Sequence, residues 1–206
     1  MLGKSNYDDV LKAAWSKATL HDLNMLATNS GASVRKGTKH LILRMIDRDC
    51  VVDFGAKTMR YADAKGADVS QHLQILILHY LEGSGRAQVA NRLVTFREFD
   101  GGAIYYPAFK ARAIDPVVKE FGEKADLLRH IGDALRAEPI EVGTVSLKAH
   151  FFPKVPVVVI LWQGDEEVAS SANVLFDANA GKIMATEDLS LVGGTLTRRL
   201  IQLART

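Results

Sequence analysis

A chain of 206 residues, 48% hydrophobic and 24% charged, has the composition of an ordinary globular protein and can bury a core without disulfides. The formal net charge of +2 is spread along the chain, so electrostatics give no support for nucleic acid or an anionic membrane as partner. No apolar run approaches the roughly 18 residues of a membrane span, and the N-terminal residues lack the apolar core of a secretory signal. The sequence therefore predicts a cytoplasmic protein.

Cys50 is the only cysteine in the sequence. A single thiol cannot form an intrachain disulfide, and it cannot by itself hold an iron–sulfur cluster or a zinc ribbon. The residue lies in an alternating segment that is typical of a strand, and no sequence feature there lowers the pKa of its thiol. We interpret Cys50 as a structural residue and not as a nucleophile.

The N-terminal third predicts a helix followed by a small sheet. Apolar residues recur at helical spacing from Leu11 to Ala18, and we expect one helix that starts at an Asn6 cap and ends by Gly31. Residues 41–46, 50–54 and 58–61 alternate in hydrophobicity between turn residues. This pattern predicts an antiparallel meander.

The middle of the chain begins with a helix, predicted at residues 69–82, that is apolar almost all round and is therefore buried on most sides. Residues 93–99 predict a strand, residues 100–102 a turn, and residues 103–106 the return strand. Pro107 fits the first turn of a following helix, which bends or restarts at Asp115-Pro116. A second amphipathic helix follows around residues 127–135.

The C-terminal part is arranged around residues 157–162, six large apolar residues of which four are β-branched. Such a run favours a strand covered on both faces. Residues 144–152 and 155–163 predict an antiparallel pair, residues 173–177 a third strand, and residues 187–203 a closing helix capped by Thr186. The pair Gly193-Gly194 is a weak point in that helix, costing roughly 1 kcal/mol per glycine relative to alanine.

These elements predict an α+β fold of mostly antiparallel sheets with helices packed on them, including the nearly all-apolar buried helix and the C-terminal helix. No repeat, low-complexity tract or clear boundary interrupts the chain. We therefore expect residues 1–206 to form a single domain, with two sublayers meeting near residue 140.

Several segments match a family pattern: Leu76-Ile77-Leu78-His79-Tyr80-Leu81, Thr95-Phe96-Arg97-Glu98, Gly101-Gly102, Tyr106 to Phe109, Phe152-Pro153 through Leu161-Trp162, Gly164-Asp165-Glu166, Val174-Leu175-Phe176-Asp177 and Glu187-Asp188. The chain resembles, over most of its length, an uncharacterised domain of unknown function found mainly in anaerobic bacteria and methanogenic archaea. The resemblance implies a cytoplasmic accessory to cofactor-dependent metabolism in an anaerobic prokaryote, and it supplies no catalytic residues. Some relatives carry an extra cysteine-rich iron–sulfur segment, which this sequence lacks, so cluster-dependent roles do not transfer.

Acidic residues follow two of the predicted strands. If the strands before Asp165 and Asp177 run the same way side by side, their carboxylates and that of Glu166 could converge on a divalent metal or divide acid and base work. The alternative is a solvated hairpin at residues 165–167 and an Asx turn at Asp177. We weigh the structural alternative more heavily.

The histidines form a second candidate group. His79 and His72 on the buried helix and His150 on a predicted strand could face a common cavity. Imidazoles can ligate a transition metal or act as an axial ligand to a haem or corrinoid. A partly buried histidine bonded to a backbone carbonyl is the commoner arrangement.

The leading hypothesis is an accessory binding protein, without catalysis of its own, that holds a small planar or anionic ligand or cofactor. Its predicted ligand-binding residues are His79, Thr95, Arg97, Glu98, Tyr105, Tyr106 and Trp162. The first alternative is a metal-assisted hydrolase using Asp165, Glu166 and Asp177. The second is a scaffold subunit that functions only with a protein partner.

Overall fold

The computed structural model describes residues 4–63 and 66–206. These residues form a mixed α+β fold with two antiparallel sheets, as predicted. They fall into two compact units: residues 4–63 and 66–88, Phe152–Lys154 and Lys182–Met184 in the first, and Val89–Phe151, Val155–Gly181 and Ala185–Thr206 in the second. Folding of the chain as one domain stays a prediction.

The helices of the first unit are α1 (Lys4–Ala18), α2 (Leu23–Ser30) and α3 (Gln71–Gly83). The prediction of one continuous helix up to Gly31 was wrong, because Asp22 starts a second helix by accepting the backbone N–H groups of Asn24 and Met25 at 2.9 and 3.0 Å. The predicted end at Gly31 is correct, since its φ of +75° gives the left-handed cap that favours glycine.

The sheet of the first unit contains β1 (Ser33–Val34), β2 (His40–Met45), β3 (Arg48–Asp53) and β4 (Thr58–Tyr61) in that order, all antiparallel. The predicted meander is confirmed. Cys50 is fully buried in β3, and this burial raises the pKa of its thiol to about 12. Its thiolate is therefore scarce at neutral pH, which agrees with the interpretation of Cys50 as a structural residue.

Helix α3 is buried over most of its surface, as its apolar sequence predicts. Its Tyr80 hydroxyl donates a hydrogen bond to the Ser30 carbonyl oxygen at 2.6 Å and accepts one from the Lys154 backbone N–H at 3.2 Å. The Tyr80 ring stacks on Phe152 with ring centres 4.3 Å apart, and burial raises the pKa of its hydroxyl. Tyr80 thus attaches residues 152–154 to the rest of this unit.

The sheet of the second unit contains β5 (Leu93–Thr95), β6 (Glu138–Pro139), β7 (Val145–Phe152), β8 (Val155–Trp162) and β9 (Ser171–Asp177) in the order β5-β9-β8-β7-β6. Strand β8 is therefore the central strand, and all its residues before Trp162 are buried. This confirms the prediction that the apolar run lies in the middle of a covered sheet.

The helices of the second unit are α4 (Gly102–Phe109), α5 (Asp115–Phe121), α6 (Ala125–Leu135) and α8 (Thr186–Ala204), whereas α7 (Ala180–Ile183) begins in the second unit and ends in the first. The strand predicted at residues 103–106 is wrong, since α4 occupies them. The strand predicted at residues 93–99 ends at Thr95 and continues as a 3₁₀ turn, Phe96–Glu98. Pro107 lies inside α4 and not in a first turn.

Aromatic packing explains why this region is helical despite its β-forming residues. The Phe109 ring stacks on Phe96 with centres 4.1 Å apart, and both rings contact Phe176 of β9. A helix from Gly102 buries Phe109 completely while Ile104 stays 82% exposed. Tertiary burial of one ring therefore outweighs the strand propensity of its neighbours. No helix in the described part of the chain is both long and apolar enough to cross a bilayer.

Candidate functional site

The predicted ligand-binding residues at the end of β5 and in the 3₁₀ turn that follows it make their main contacts with one another and with α4. The Glu98 carboxylate accepts the Thr95 backbone N–H at 2.8 Å and the Thr95 hydroxyl at 3.1 Å, which is a capping arrangement. The Arg97 guanidinium lies 3.8 Å from the centre of the Tyr106 ring in a cation–π contact. The structure therefore brings Arg97 and Tyr106 together, but it packs the guanidinium against the ring, so this contact does not itself form a ligand site.

The other predicted ligand-binding residues are more dispersed. Tyr105 is 47% exposed on α4, and Trp162 is 39% exposed at the end of β8. His79 is half-buried on α3 and belongs to the first unit, whereas the remaining six residues belong to the second. A common pocket for all seven stays a prediction.

The three histidines proposed as metal or cofactor ligands are divided in the same way. His72 belongs to the first unit with His79, and its ring lies 6.4 Å from that of Tyr7. His150 belongs to the second unit, is exposed, and has its Nε2 3.8 Å from Glu138 Oε1. A shared imidazole site also stays a prediction.

The expected convergence of Asp165 with Asp177 is wrong. Strands β8 and β9 are neighbours but antiparallel, with Val157 opposite Phe176 and Trp162 opposite Ser171. Asp165 therefore follows the end of the strand pair at Trp162 and Ser171, whereas Asp177 lies at the other end, six residues or about 20 Å from Ser171 at the usual rise per strand residue. Within residues 4–63 and 66–206, no three histidine, cysteine or acidic side chains are grouped so that they could hold a metal.

Both aspartates instead stabilise turns. Asp165 Oδ1 accepts the backbone N–H groups of Glu167 and Val168 at 2.9 Å each, and these bonds hold the pKa of this carboxyl below its usual range. Asp177, only 1% exposed, accepts the N–H groups of Ala90 and Asn179 at 2.9 Å each. The geometry agrees with the structural alternative for both residues.

A different set of residues forms a groove between two parallel helices. Residues 102–121 are one continuous helical segment, because a π-helical turn (Lys110–Ile114) joins α4 to α5. This segment lies beside α8 and runs in the same direction. Thr197 bonds the Ala113 carbonyl oxygen at 2.7 Å, and further along Arg205 pairs with Glu120 at 2.7 Å.

Two features of the sequence bring these helices close together. Pro116 has no N–H and its ring excludes the carbonyl of Arg112, so a regular α-helix cannot pass this point and a π turn replaces it. On α8, a Cβ at Gly193 would lie 2.7 Å from Phe109 Cε2, and one at Gly194 would lie 2.5 Å from Arg112 Cγ. The two glycines are thus required for packing and are more than a weak point in the helix.

The groove encloses about 380 Å³ and carries positive charge on both walls. Its lining residues are Arg112 and Pro116 from the first helical segment and Gly194, Thr197, Arg198, Ile201, Gln202 and Arg205 from α8 and its end. Arg112 donates a hydrogen bond to Ser190 Oγ at 3.1 Å. In the described part of the chain, the side chain of Arg198 makes no hydrogen bond or ion pair. We call this feature the arginine groove.

A larger cleft of about 760 Å³ lies between the α5–α6 turn and the loop after β8. Asp165 and Glu166, two of the predicted metal ligands, line it. Its charged lining residues are Lys119, Lys124, Glu120, Glu123, Asp165 and Glu166. Because carboxylates outnumber ammonium groups there, this cleft disfavours a small anion, whereas the arginine groove favours one.

The sequence analysis missed the arginine groove, although α8 contains a signal for it. Its lining residues recur from Gly194 to Arg205 at helical spacing and include two arginines on one stripe. Basic residues near a helix C-terminus are usually explained by the helix dipole, so the stripe alone would not have distinguished a binding site. The opposing wall comes from residues about 85 positions earlier, which no local pattern reveals.

The fold and groove define an α+β protein with a cationic groove between two parallel helices. Residues 22–199 match the family described as a domain of unknown function, DUF3786, and the chain belongs to that family. No curated protein matches the chain significantly. No solved structure does either.

Proposed function

We propose that this protein is an accessory binding protein that holds a small organic anion in the arginine groove. The observation that carries the proposal is the placement of Arg112, Arg198 and Arg205 around one groove. Guanidinium groups bind carboxylates and phosphates through paired, charge-assisted hydrogen bonds. The resemblance noted from the sequence supports a cytoplasmic role in the metabolism of an anaerobic prokaryote.

Neighbouring residues orient two of the three arginines. Arg112 is bonded to the neutral Ser190 hydroxyl, so its positive charge is not offset by that partner. Arg205 is paired with Glu120, but a guanidinium has five N–H donors and can hold a second acceptor. Arg198, exposed on α8, extends the set with a guanidinium not used by the described fold.

The remaining lining suits an organic molecule better than a bare inorganic ion. Pro116 and Ile201 add apolar surface between the arginines, and the groove volume of about 380 Å³ falls within the range of small-molecule sites. The lining contains no histidine, so the groove offers no imidazole to a haem or corrinoid. An organic anion is therefore the ligand class that the groove favours.

The structure bears on the hydrolase alternative but not on the scaffold-subunit alternative. The divalent-metal hydrolase required Asp165 and Asp177 to converge, and the antiparallel pairing of β8 with β9 removes that arrangement. The scaffold-subunit hypothesis stays a prediction, as do a haem or corrinoid cofactor, a protein partner and the exclusion of nucleic acid.

Isothermal titration calorimetry with adipate, benzoate and inorganic phosphate at constant ionic strength tests the proposal. We expect at least one organic anion to bind, and Arg198→Gln to weaken that binding about tenfold, the effect of losing roughly 1.4 kcal/mol of charge-assisted bonding. Arg92→Gln is the matched control, because it removes the same charge from an exposed residue of the same unit outside the groove.

Arg97→Gln separates the arginine groove from the binding residues predicted after β5. If Arg97→Gln abolishes anion binding while Arg198→Gln does not, the ligand lies at the turn and the groove assignment is wrong. No binding of any organic anion, or equal weakening by Arg92→Gln and Arg198→Gln, contradicts the proposed function. Circular dichroism of each variant confirms that it is folded.

A further inference from the structure

From the order of charges along the arginine groove, we infer that its ligand is an elongated organic dianion with an anionic group at each end. This inference rests on the proposed function and specifies its ligand. The groove has a cationic end near Gly194, a middle with the apolar side chains Pro116 and Ile201, and a second end at Arg205, whose guanidinium is paired with Glu120. Each part follows from the register of the two parallel helices.

The first cationic end contains two guanidinium groups. Arg112 packs its side-chain stem against α8 where Gly194 leaves space, and its guanidinium bonds Ser190 Oγ one turn earlier. Arg198 lies one turn beyond Gly194 on the same stripe of α8. An anionic group between Arg112 and Arg198 meets donors from both walls.

The middle of the groove carries two apolar side chains, Pro116 and Ile201, beside the neutral Gln202. The bond from Thr197 to Ala113 and the pair Arg205–Glu120 fix the register of the two helical segments. The same register places Pro116 level with Ile201, between the two ends of the groove. Methylene or aromatic carbons would contact Pro116 and Ile201, whereas a charged group here would meet only the neutral Gln202 amide and no guanidinium.

The second end of the groove carries the guanidinium of Arg205, which keeps N–H donors for an anion although it is paired with Glu120. Arg205 lies eleven residues beyond Gly194, which corresponds to about 16 Å along a helix axis. Glu120 holds its guanidinium at the end of the groove through a bond of 2.7 Å. A monoanion bound at the first end would leave Arg205 without a ligand group, whereas a dianion of matching length would use both ends.

The test compares dicarboxylates with monocarboxylates of equal chain length by calorimetry at constant ionic strength. The pairs are succinate with butyrate, adipate with hexanoate, suberate with octanoate and sebacate with decanoate. We expect the best dicarboxylate to bind about tenfold or more tightly than its monocarboxylate, because it gains the second charge-assisted contact. Affinity should pass through a maximum as the chain lengthens.

Two variants show which end of the groove binds which carboxylate of the ligand. Arg205→Gln should reduce the best dicarboxylate to the affinity of its monocarboxylate and leave the monocarboxylate unchanged. Arg198→Gln should weaken both, and Arg92→Gln neither. If the two classes bind equally well and Arg198→Gln weakens both, the dianion inference is wrong while the proposed function stands. If neither class binds, both fail.

Discussion

The turn after β5 and the arginine groove both present arginine beside apolar side chains, yet the fold uses them differently. In the turn, Glu98 is bonded to Thr95, and Arg97 lies against the Tyr106 ring. In the groove, the Arg198 side chain makes no hydrogen bond or ion pair within the described part of the chain, and the Arg112 guanidinium is bonded only to the neutral Ser190 hydroxyl. The turn therefore stabilises the local backbone, whereas the groove retains donors for a ligand.

This difference shows how candidate residues can be judged. A polar side chain can bind a ligand strongly only through bonding capacity that the folded chain has not already used. Asp165 and Asp177 fail this criterion, since each accepts two backbone N–H groups. The contrast predicts that variants at structural residues change stability, and that variants in the groove change binding.

Asp177→Ala should have the largest effect on stability. It removes the acceptor for the N–H groups of Ala90 and Asn179 at a position that is almost fully buried. Losing two hydrogen bonds to this buried carboxylate costs about 3 kcal/mol, which urea unfolding would detect as a lower midpoint.

Two comparisons sharpen this prediction. Asp177→Asn keeps a carbonyl oxygen as acceptor and should lose less than half as much. Arg198→Gln should change the free energy of unfolding by less than about 0.5 kcal/mol, as expected for an exposed residue with no partner. An Asp177→Ala variant as stable as the parent would contradict the structural role assigned to this carboxylate.

Gly193→Ala should destabilise the protein by about 2 kcal/mol. The added methyl group would overlap the completely buried Phe109 ring, and such overpacking outweighs the roughly 1 kcal/mol that alanine gains over glycine in a helix. Thermal or urea unfolding measures the loss.

The neighbouring Gly194→Ala provides a matched variant with a different expected result. Its methyl group would meet the stem of Arg112, an exposed side chain that can move aside. We expect a smaller loss of stability than for Gly193→Ala, together with weaker anion binding, because Arg112 leaves its place in the groove. If Gly194→Ala binds anions as the parent does, Arg112 does not contribute to the site.

Glu98→Ala should cost about 1 kcal/mol, the usual value of a helix cap, because the Thr95 backbone N–H and hydroxyl lose their shared acceptor. Glu123→Ala removes the same charge from an exposed position of the same unit and should leave stability unchanged. If Glu98→Ala instead weakens anion binding and spares stability, the turn after β5 is the binding site after all.

Much of the fold could be predicted because its signals are local. Alternating hydrophobicity predicted the meander of the first sheet, the apolar run at residues 157–162 predicted β8, and a sequence that is apolar almost all round predicted the buried helix α3. Helix α4 was missed because its residues favour strands, while the contact that decides their conformation, Phe109 on Phe96, is tertiary. Local patterns cannot contain that contact.

The sequence contained information about one part of the candidate site but not about the other. The direction of β9 relative to β8 could have been inferred, since residues 163–170 are fewer than the dozen or so that a parallel crossover requires. The arginine groove could not, because it depends on two helical segments far apart in sequence lying parallel. Only Gly193-Gly194 indicated a close approach, and a glycine pair does not identify its partner.

The smallest expected effect concerns the pH dependence of stability at Asp165. Backbone N–H groups of Glu167 and Val168 hold the pKa of this carboxyl below its unfolded value of about 3.9. A folded pKa that is lowered contributes stability that is fully present above the unfolded pKa and is lost as the pH falls through the folded pKa. Asp165→Asn cannot titrate, so its stability should fall less steeply than that of the parent below about pH 4.

Urea unfolding of both proteins from neutral to acidic pH, with and without added Mg²⁺ or EDTA, tests the role of Asp165. If this carboxylate stabilises only its turn, neither addition should change the acidic part of the parent's profile. A shift of that part to lower pH with Mg²⁺, absent in Asp165→Asn, would mean that the carboxylate also binds a cation, since a bound cation favours the ionised form. Asp165 would then retain bonding capacity like Arg198, and the contrast between turn residues and groove residues would fail at this position.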